Sequence, residues 1–136
     1  MGRQEDLKHA AHNEDVFNLL LPKTDFVDWI VTTAFYSALH YVDAKLFPIK
    51  YSEKGIQFTV TNMESYAVSA LNRYGTDKHV CRLKLVERNM KDISFEFNWL
   101  YSTCKTARYH NYTFPNPVDV CKTANDYLSK IKAFCK

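Results

Sequence analysis

The chain has 136 residues, of which 46% are hydrophobic and 15% aromatic, enough for one domain with a real core and too few for two. Three glycines and four prolines argue against a turn-rich all-β protein, and no apolar stretch is long enough to span a membrane. The net charge of +3 permits a phosphate-bearing partner without requiring one. Because the N-terminal segment is polar and acidic, unlike a signal peptide, we expect a cytoplasmic protein with no membrane partner.

Apolar periodicity and capping signals predict five helices. In chain order they cover about residues 4–20, 25–47, 61–75, 76–109 (as one helix or two) and a last helix that opens at Pro117. A capping box at Thr61 and Glu64 begins the third helix, Gly75 ends it, and residues 49–60 before it form the longest loop. We therefore expect an all-α fold in which residues 1–136 make a single antiparallel bundle of four to five helices.

Residues 76–109 contain neither Gly nor Pro, so they could form one long helix or two helices that separate near residues 89–92. In one continuous helix Arg82 and Arg108 would lie about 39 Å apart and could not share a site. If the chain reverses near residues 89–92, which end in a good capping residue, His79 and Arg82 return to within roughly two helical turns of Arg108. We predict the break.

The second helix carries a narrow polar stripe on an otherwise apolar surface, which is typical of a helix in the middle of a bundle. The stripe consists of Trp29, Thr33, Tyr36, His40 and Asp43. Its polar groups need partners, since an unpaired buried polar group costs a few kcal/mol. His40 and Asp43 are three residues apart, so the carboxylate could orient the imidazole for catalysis or metal binding, or His40 could be a hydrogen-bonded core residue. We expect this stripe to be the buried wall of a site.

A second candidate pair is His79 and Arg82, three residues apart at the start of the fourth helix. Free backbone amides at a helix N-terminus favour an anion, so Arg82 could hold a phosphate while His79 acts as acid or base. A solvated helix start that binds nothing is the alternative.

The segment ARYHNYTFP, residues 107–115, combines Arg108, Tyr109 and His110 with further aromatic side chains where a helix gives way to a loop. This combination suits stacking on bases together with contacts to phosphates. The same aromatic side chains could instead fix the loop onto the bundle.

His9 and His12 share a helix face and could ligate a metal with His40. No HxxxH or ExxH motif supplies further ligands on another helix, so we expect neither a metal nor another cofactor. The cysteines form no CxxC motif and are predicted to be reduced, buried thiols. They are Cys81, Cys104, Cys121 and Cys135.

Three separated blocks, DWIVTTAFYSALHYVDA, KHVCRLKLV and FNWLYSTCKTARY, resemble a family within the HEPN domains over roughly residues 25–110. The family's pattern is a W-x-x-x-x-A-F-Y-x-A-L-H helix, then H-x-x-R, then a helix that ends in S/C-x-x-A-R-Y. The matching positions are Trp29, Phe35, Tyr36, His40, His79, Arg82, Ala107, Arg108 and Tyr109. HEPN domains are four- or five-helix bundles, often dimeric. Many are metal-independent ribonucleases of toxin–antitoxin, CRISPR and antiphage systems, while others only bind or dimerise.

Catalytic HEPN domains carry R-x(4–6)-H, in which the Arg supports the phosphate and the His handles the proton of the 2′-hydroxyl or of the leaving group. Arg73 and His79 have this spacing, as do Arg3 and His9. The chain departs from the family pattern at Tyr74, because a polar residue usually follows the Arg.

The resemblance implies an RNA- or nucleotide-binding protein, with metal-independent ribonuclease activity in a toxin–antitoxin or defence system as its catalytic form, and a homodimer. The roles it implies are His79 as acid or base, Arg73 or Arg82 as phosphate clamp, Arg108, Tyr109 and His110 as RNA contacts, and Tyr36, His40 and Asp43 as supporting residues. The alternative is a non-catalytic interaction or dimerisation domain, such as the antitoxin-type partner of a toxin or a small-ligand sensor. A third hypothesis is a metal-dependent enzyme that uses His9, His12 and His40.

Overall fold

The structure, a computed structural model, describes residues 2–136 and is predominantly helical. Within that range, six α-helices and one β-hairpin follow one another along the chain. The elements are α1 (Arg3–Leu20), α2 (Val27–Leu46), β1 (Ile49–Glu53), β2 (Ile56–Val60), α3 (Met63–Ala67), α4 (Lys78–Asn89), α5 (Lys91–Tyr109) and α6 (Pro117–Cys135). A 3₁₀ turn over Thr24–Phe26 leads into α2. The expectation of a helical protein is confirmed, and none of the described helices is both long and apolar enough to cross a membrane.

Helix α2 lies at the centre of the molecule, where it packs against α1, α5 and α6 and also touches α4. Several of its apolar residues are fully buried, among them Ile30, Val31, Ala34, Ala38 and Val42. Burial of each Val or Ile side chain stabilises the fold by about 1.5–3 kcal/mol. The prediction that this helix is central is confirmed, although Trp29 at its start is 59% exposed, so the stripe is not a buried wall along its whole length.

The loop predicted over residues 49–60 is wrong, because these residues form an antiparallel β-hairpin. Lys54 and Gly55 both have positive φ, 52° and 79°, the backbone that a two-residue type I′ turn requires. Tyr51 pairs with Phe58 across the hairpin, and their rings stack with centroids 5.3 Å apart. Such a cross-strand aromatic pair stabilises the ladder.

The third helix is shorter than predicted. It begins at Met63 after Asn62, whose side chain accepts a hydrogen bond of 2.7 Å from the Ser65 amide, so Asn62 and not Thr61 is the cap. It ends at Ala67 rather than at Gly75. The amide of Asn72 donates to the carbonyls of Ala67 and Gly75, which holds residues 68–77 in an irregular turn, since such side chains compete with helical backbone bonds.

The predicted break in the long helix is confirmed. Helix α4 ends at Asn89, α5 begins at Lys91, and the buried Met90 between them has non-helical backbone angles. The capping position of α5 is occupied by Met90, so Asp92, the capping residue suggested by the sequence, does not cap this helix. The chain folds back on itself here, because the rings of His79 on α4 and Tyr101 on α5 lie 5.5 Å apart.

All four cysteines are buried and unbridged, as predicted. Burial raises the pKa of the Cys104 and Cys121 thiols, and it raises the pKa of Cys135 to about 11. Thiols with raised pKa values stay protonated and unreactive, so these residues act as small core side chains.

Candidate functional site

The inner end of the α2 stripe forms a buried ion pair with α4. Arg82 Nε donates to Asp43 Oδ1 at 2.7 Å, and its Nη2 donates to Oδ2 at 2.9 Å. The two residues are only 6% and 8% exposed. This bidentate geometry uses both carboxylate oxygens, and the guanidinium of Arg82 is turned into the protein. The arrangement therefore leaves Arg82 occupied by Asp43 rather than open to a phosphate.

The sequence offers Asp43 as the partner of His40, but His40 pairs instead with a residue of α1. Its Nδ1 lies 2.9 Å from Asp6 Oδ1, and the ring of His9 packs edge-on against it with centroids 4.8 Å apart. Burial raises the pKa of the Asp6 carboxyl, while the hydrogen bond to His40 opposes that shift. His40 is thus a largely buried, hydrogen-bonded histidine. Of the two roles considered for it, this is the one of a core residue rather than of a catalytic or metal-binding residue.

The middle of the stripe reaches the surface at Tyr36. Arg108 Nη1, from the last turn of α5, donates to the Tyr36 hydroxyl at 2.6 Å. The Arg108 guanidinium also lies 5.8 Å from the centroid of the Tyr36 ring and 5.2 Å from that of Tyr109. Cation–π contacts of this kind orient an arginine without neutralising it. Arg108 is exposed and, among residues 2–136, has no carboxylate partner.

His79 lines a pocket of about 190 Å³ next to Arg108, with Tyr36, Asp77, Tyr101 and Lys105 among its other walls. The His79 ring packs against Phe35 and Tyr101, with centroids 5.7 Å and 5.5 Å away. Its Nδ1 atom is buried and has no hydrogen-bond partner in the described part of the chain. An unpaired buried polar atom is rare in proteins and needs a reason.

The pKa of His79 is lowered, chiefly because burial disfavours the charged imidazolium and also because Arg82, Arg108 and Lys78 repel it; only Asp77 opposes the shift. The imidazole is therefore neutral at neutral pH and able to take up a proton. A neutral base beside the Arg108 cation is an arrangement suited to proton transfer at an anionic substrate.

A larger pocket, of about 650 Å³, opens on the other side of Arg108. Its walls include the aromatic side chains of Trp29, Tyr109 and Tyr112, which are 59%, 67% and 68% exposed. Exposed aromatic side chains gathered at one pocket mark a binding surface more often than chance exposure. Besides Arg108, the pocket is lined by the polar side chains of Asp28, Thr32, His110 and Asn111. The two pockets share Arg108 and Tyr109. We call the two pockets together the Arg108 cleft.

The structure thus divides the predicted site residues into three groups. His79, Arg108, Tyr109, His110 and Tyr36 line the Arg108 cleft. Arg82, Asp43 and His40 lie in buried pairs away from it. Arg73 is exposed in the irregular segment before α4 and lines neither pocket of the cleft. Of the aromatic residues in the segment 107–115, only Phe114 packs against the core, so fixing the loop accounts for that residue and not for Tyr109 or Tyr112.

The residues described contain no group of three or more His, Cys, Asp or Glu side chains placed to hold a metal ion. His9 touches His40, but His12 is exposed on α1, so these three histidines do not form the site that the metal-dependent hypothesis requires.

Three residues of this region were missed by reasoning from the sequence. Asp6 looks like an ordinary acid in the first turn of a helix, and Asp28 looks the same at the start of α2. Tyr101, which packs against His79, lies on α5 at a position typical of a core aromatic. None of the three carries a local motif, because each acquires its role only through packing against another helix.

Comparisons with protein-family models, curated proteins and solved structures find no match for this chain.

Proposed function

We propose that the protein is a HEPN-like helical bundle that binds RNA or a nucleotide in the Arg108 cleft and cleaves RNA without a metal. The observation that carries the proposal is the position of Arg108, an exposed cation between the neutral imidazole of His79 and the exposed rings of Trp29, Tyr109 and Tyr112. A cation for phosphate, a base for proton transfer and rings for stacking are the three parts that single-stranded RNA recognition and cleavage need.

Arg108 is the proposed phosphate ligand, in place of the Arg82 and Arg73 suggested by the family motif. Its guanidinium donates one short hydrogen bond, to the Tyr36 hydroxyl, and has no carboxylate partner among residues 2–136, so N–H donors remain open to a phosphate. Lys105 lines the same pocket and adds a second positive charge. Tyr36 supports the site by holding Arg108, while His40 and Asp43 support it indirectly by fixing α1 and α4 against α2.

His79 is the proposed general base. In this reaction its neutral imidazole takes the proton of a ribose 2′-hydroxyl, the 2′-oxygen forms a bond to phosphorus, and the bond from phosphorus to the 5′-oxygen breaks. The departing 5′-oxygen takes a proton from solvent, and Arg108 balances the charge that develops on the phosphoryl oxygens. No step requires a metal. The setting we propose, a toxin–antitoxin or defence system of the cytoplasm, rests on the resemblance to HEPN domains.

The test is cleavage of a single-stranded RNA in EDTA by the wild type and by His79→Gln and His12→Gln. His12 is an exposed histidine outside the cleft and serves as the matched control. We expect His79→Gln to lose about 10²- to 10⁴-fold in rate, the usual contribution of a general base, and His12→Gln to cleave as the wild type does. Equal cleavage by wild type and His79→Gln, with both proteins folded by circular dichroism, would remove His79 from the mechanism.

A second candidate function, that of an interaction domain, is favoured by an aromatic patch on the far side of α5. Phe95 is 67% exposed and packs edge-on against Tyr127 of α6, which also contacts Trp99. Trp99 and Tyr127 are half-buried beneath the exposed Phe95, and aromatic side chains are enriched at protein interfaces, so this patch suits a homodimer or an antitoxin-type partner. If it is a homodimer interface, light scattering will give a dimer for the wild type and a monomer for Phe95→Ser; a monomeric wild type would contradict it.

A further inference from the structure

The larger pocket of the Arg108 cleft is lined by one anionic and one cationic side chain, from two different helices. Asp28 lines it at the start of α2, and Arg108 lines it near Tyr36. Asp28 and Tyr36 are eight residues apart on one helix, which is about 12 Å along the axis. A mononucleotide can span this length with its base at one end and its phosphate at the other.

The Asp28 carboxylate is half-buried and forms no hydrogen bond or ion pair with any residue from 2 to 136. The backbone carbonyl of Asp28, by contrast, accepts a bond of 2.7 Å from the Thr32 hydroxyl, so the first turn of α2 is held in place. An ionised carboxylate accepts hydrogen bonds and donates none. A ligand that enters this end of the pocket must therefore offer donors.

Asn111 lines the same pocket and offers the opposite polarity. Its side-chain oxygen accepts bonds of 3.1 Å and 2.9 Å from the amide and hydroxyl of Thr113. Because the amide of Thr113 can only donate, the oxygen of Asn111 is fixed toward it and the NH₂ group remains to donate elsewhere. The pocket thus presents two carboxylate acceptors and one amide donor beside the exposed ring of Trp29.

We propose that this pocket selects guanine, an inference that rests on the proposed binding of RNA or nucleotides. The Watson–Crick edge of guanine has two adjacent donors, N1–H and N2–H₂, followed by the acceptor O6. Asp28 can accept from the two donors, and Asn111 can donate to O6. Adenine, cytosine and uracil each have a donor next to an acceptor where guanine has two adjacent donors, so each can give the Asp28 carboxylate at most one hydrogen bond while its acceptor is repelled. Stacking on Trp29 supports any base and adds no selectivity of its own.

The experiment is a titration of the wild type, Asp28→Asn and the control Asp25→Asn with 5′-GMP, 5′-IMP and 5′-AMP, followed by calorimetry. Asp25 is an exposed acid three residues before Asp28 and does not line the pocket. Wild type and Asp25→Asn should bind GMP about 5- to 150-fold more tightly than AMP, the range expected for a bidentate contact to a base. IMP, which lacks the N2 amino group, should lie between them.

Asp28→Asn keeps the size of the side chain and should bind all three nucleotides about equally, with an unchanged melting temperature. If the wild type binds GMP and AMP equally, or if Asp28→Asn keeps the preference for GMP, the guanine proposal is wrong while nucleotide binding in the cleft stands. If none of the nucleotides and no RNA binds to a folded wild type, the proposed function itself is wrong.

Discussion

The inner end and the middle of the α2 stripe differ in what their partners do. At the inner end of α2, Asp43 and Arg82 satisfy each other inside the protein, and His40 is bonded to Asp6. In the middle of the stripe, Tyr36 holds Arg108 at the surface without neutralising its charge. Both arginines bond to a residue of α2, so bonding alone does not distinguish them. Burial and the charge of the partner distinguish them. Arg82 is buried against a carboxylate, whereas Arg108 is exposed and remains available for a ligand.

The largest effect should come from Arg82→Ala, which leaves the Asp43 carboxylate buried without a partner. We expect the free energy of unfolding to fall by about 3–5 kcal/mol, as it does when one member of a buried ion pair is removed. Urea denaturation followed by circular dichroism measures it. Replacing both residues, as Asp43→Leu with Arg82→Met, should destabilise much less, because no charge is then left unpaired. A stable Arg82→Ala protein that has lost RNA binding would make Arg82 a ligand residue and reverse the comparison.

Arg108→Ala should change the free energy of unfolding by less than about 1 kcal/mol, since exposed polar contacts contribute little to stability. Its effect should instead fall on RNA binding. The slope of log K against log salt should become shallower by about 1, because one phosphate contact is lost. Denaturation and binding curves at several salt concentrations measure the two quantities. A loss of stability as large as that of Arg82→Ala would contradict the account.

A third prediction concerns pH, because His79 has a lowered pKa. The unfolded chain takes up a proton near pH 6.5, and the folded chain does so only at lower pH. Below pH 6.5 the unfolded chain therefore binds a proton that the folded chain does not, which favours unfolding. The free energy of unfolding is highest above pH 6.5 and falls as pH drops from there toward the lower pKa of folded His79. The wild type should therefore lose stability relative to His79→Gln between pH 7 and pH 5, and denaturation at both pH values measures the difference. A constant difference would mean that His79 is not desolvated.

The same shift should appear in catalysis. A base with a lowered pKa stays neutral in weak acid, so the acid limb of kcat/KM for RNA cleavage should lie below pH 6.5. An acid limb above that value would contradict the environment described for His79.

The smallest effect is expected for Tyr36→Phe, which removes the hydroxyl that Arg108 bonds to and keeps the ring beneath it. The free energy of unfolding should fall by no more than about 1 kcal/mol, while RNA affinity should fall a few-fold because Arg108 is less well held. Tyr74→Phe is the matched control, since the Tyr74 hydroxyl accepts a bond from Arg88 outside the cleft. If both variants bind RNA as the wild type does, Tyr36 has no positioning role.

The parts of the fold that local signals determine could be predicted from the sequence. The apolar surface of α2 made it central, and the break that returns His79 to the neighbourhood of Arg108 lies at the predicted residues 89–92, although Met90 and not Asp92 precedes α5. The hairpin could have been found as well, because Ile49–Glu53 and Ile56–Val60 alternate in character around Lys54 and Gly55. It was missed because so few other residues suggest strands.

The pairing of charged groups could not be predicted in the same way. His40 and Asp43 are neighbours on one helix, yet each bonds to a different helix, because the packing of α1 and α4 places Asp6 against His40 and Arg82 against Asp43. Spacing along a helix limits which residues share a face, and it does not decide what packs against that face. The division between buried and exposed arginines is therefore visible only in three dimensions.

The central claim, that the Arg108 cleft binds nucleic acid, is tested most directly by the affinity of a fluorescent single-stranded RNA for Arg108→Ala and Arg88→Ala. Both substitutions remove an exposed arginine that bonds to a tyrosine hydroxyl, but only Arg108 lies in the cleft. Fluorescence anisotropy at fixed salt should show affinity about 10-fold or more weaker for Arg108→Ala and close to wild type for Arg88→Ala. Equal affinities for the two variants would contradict the claim.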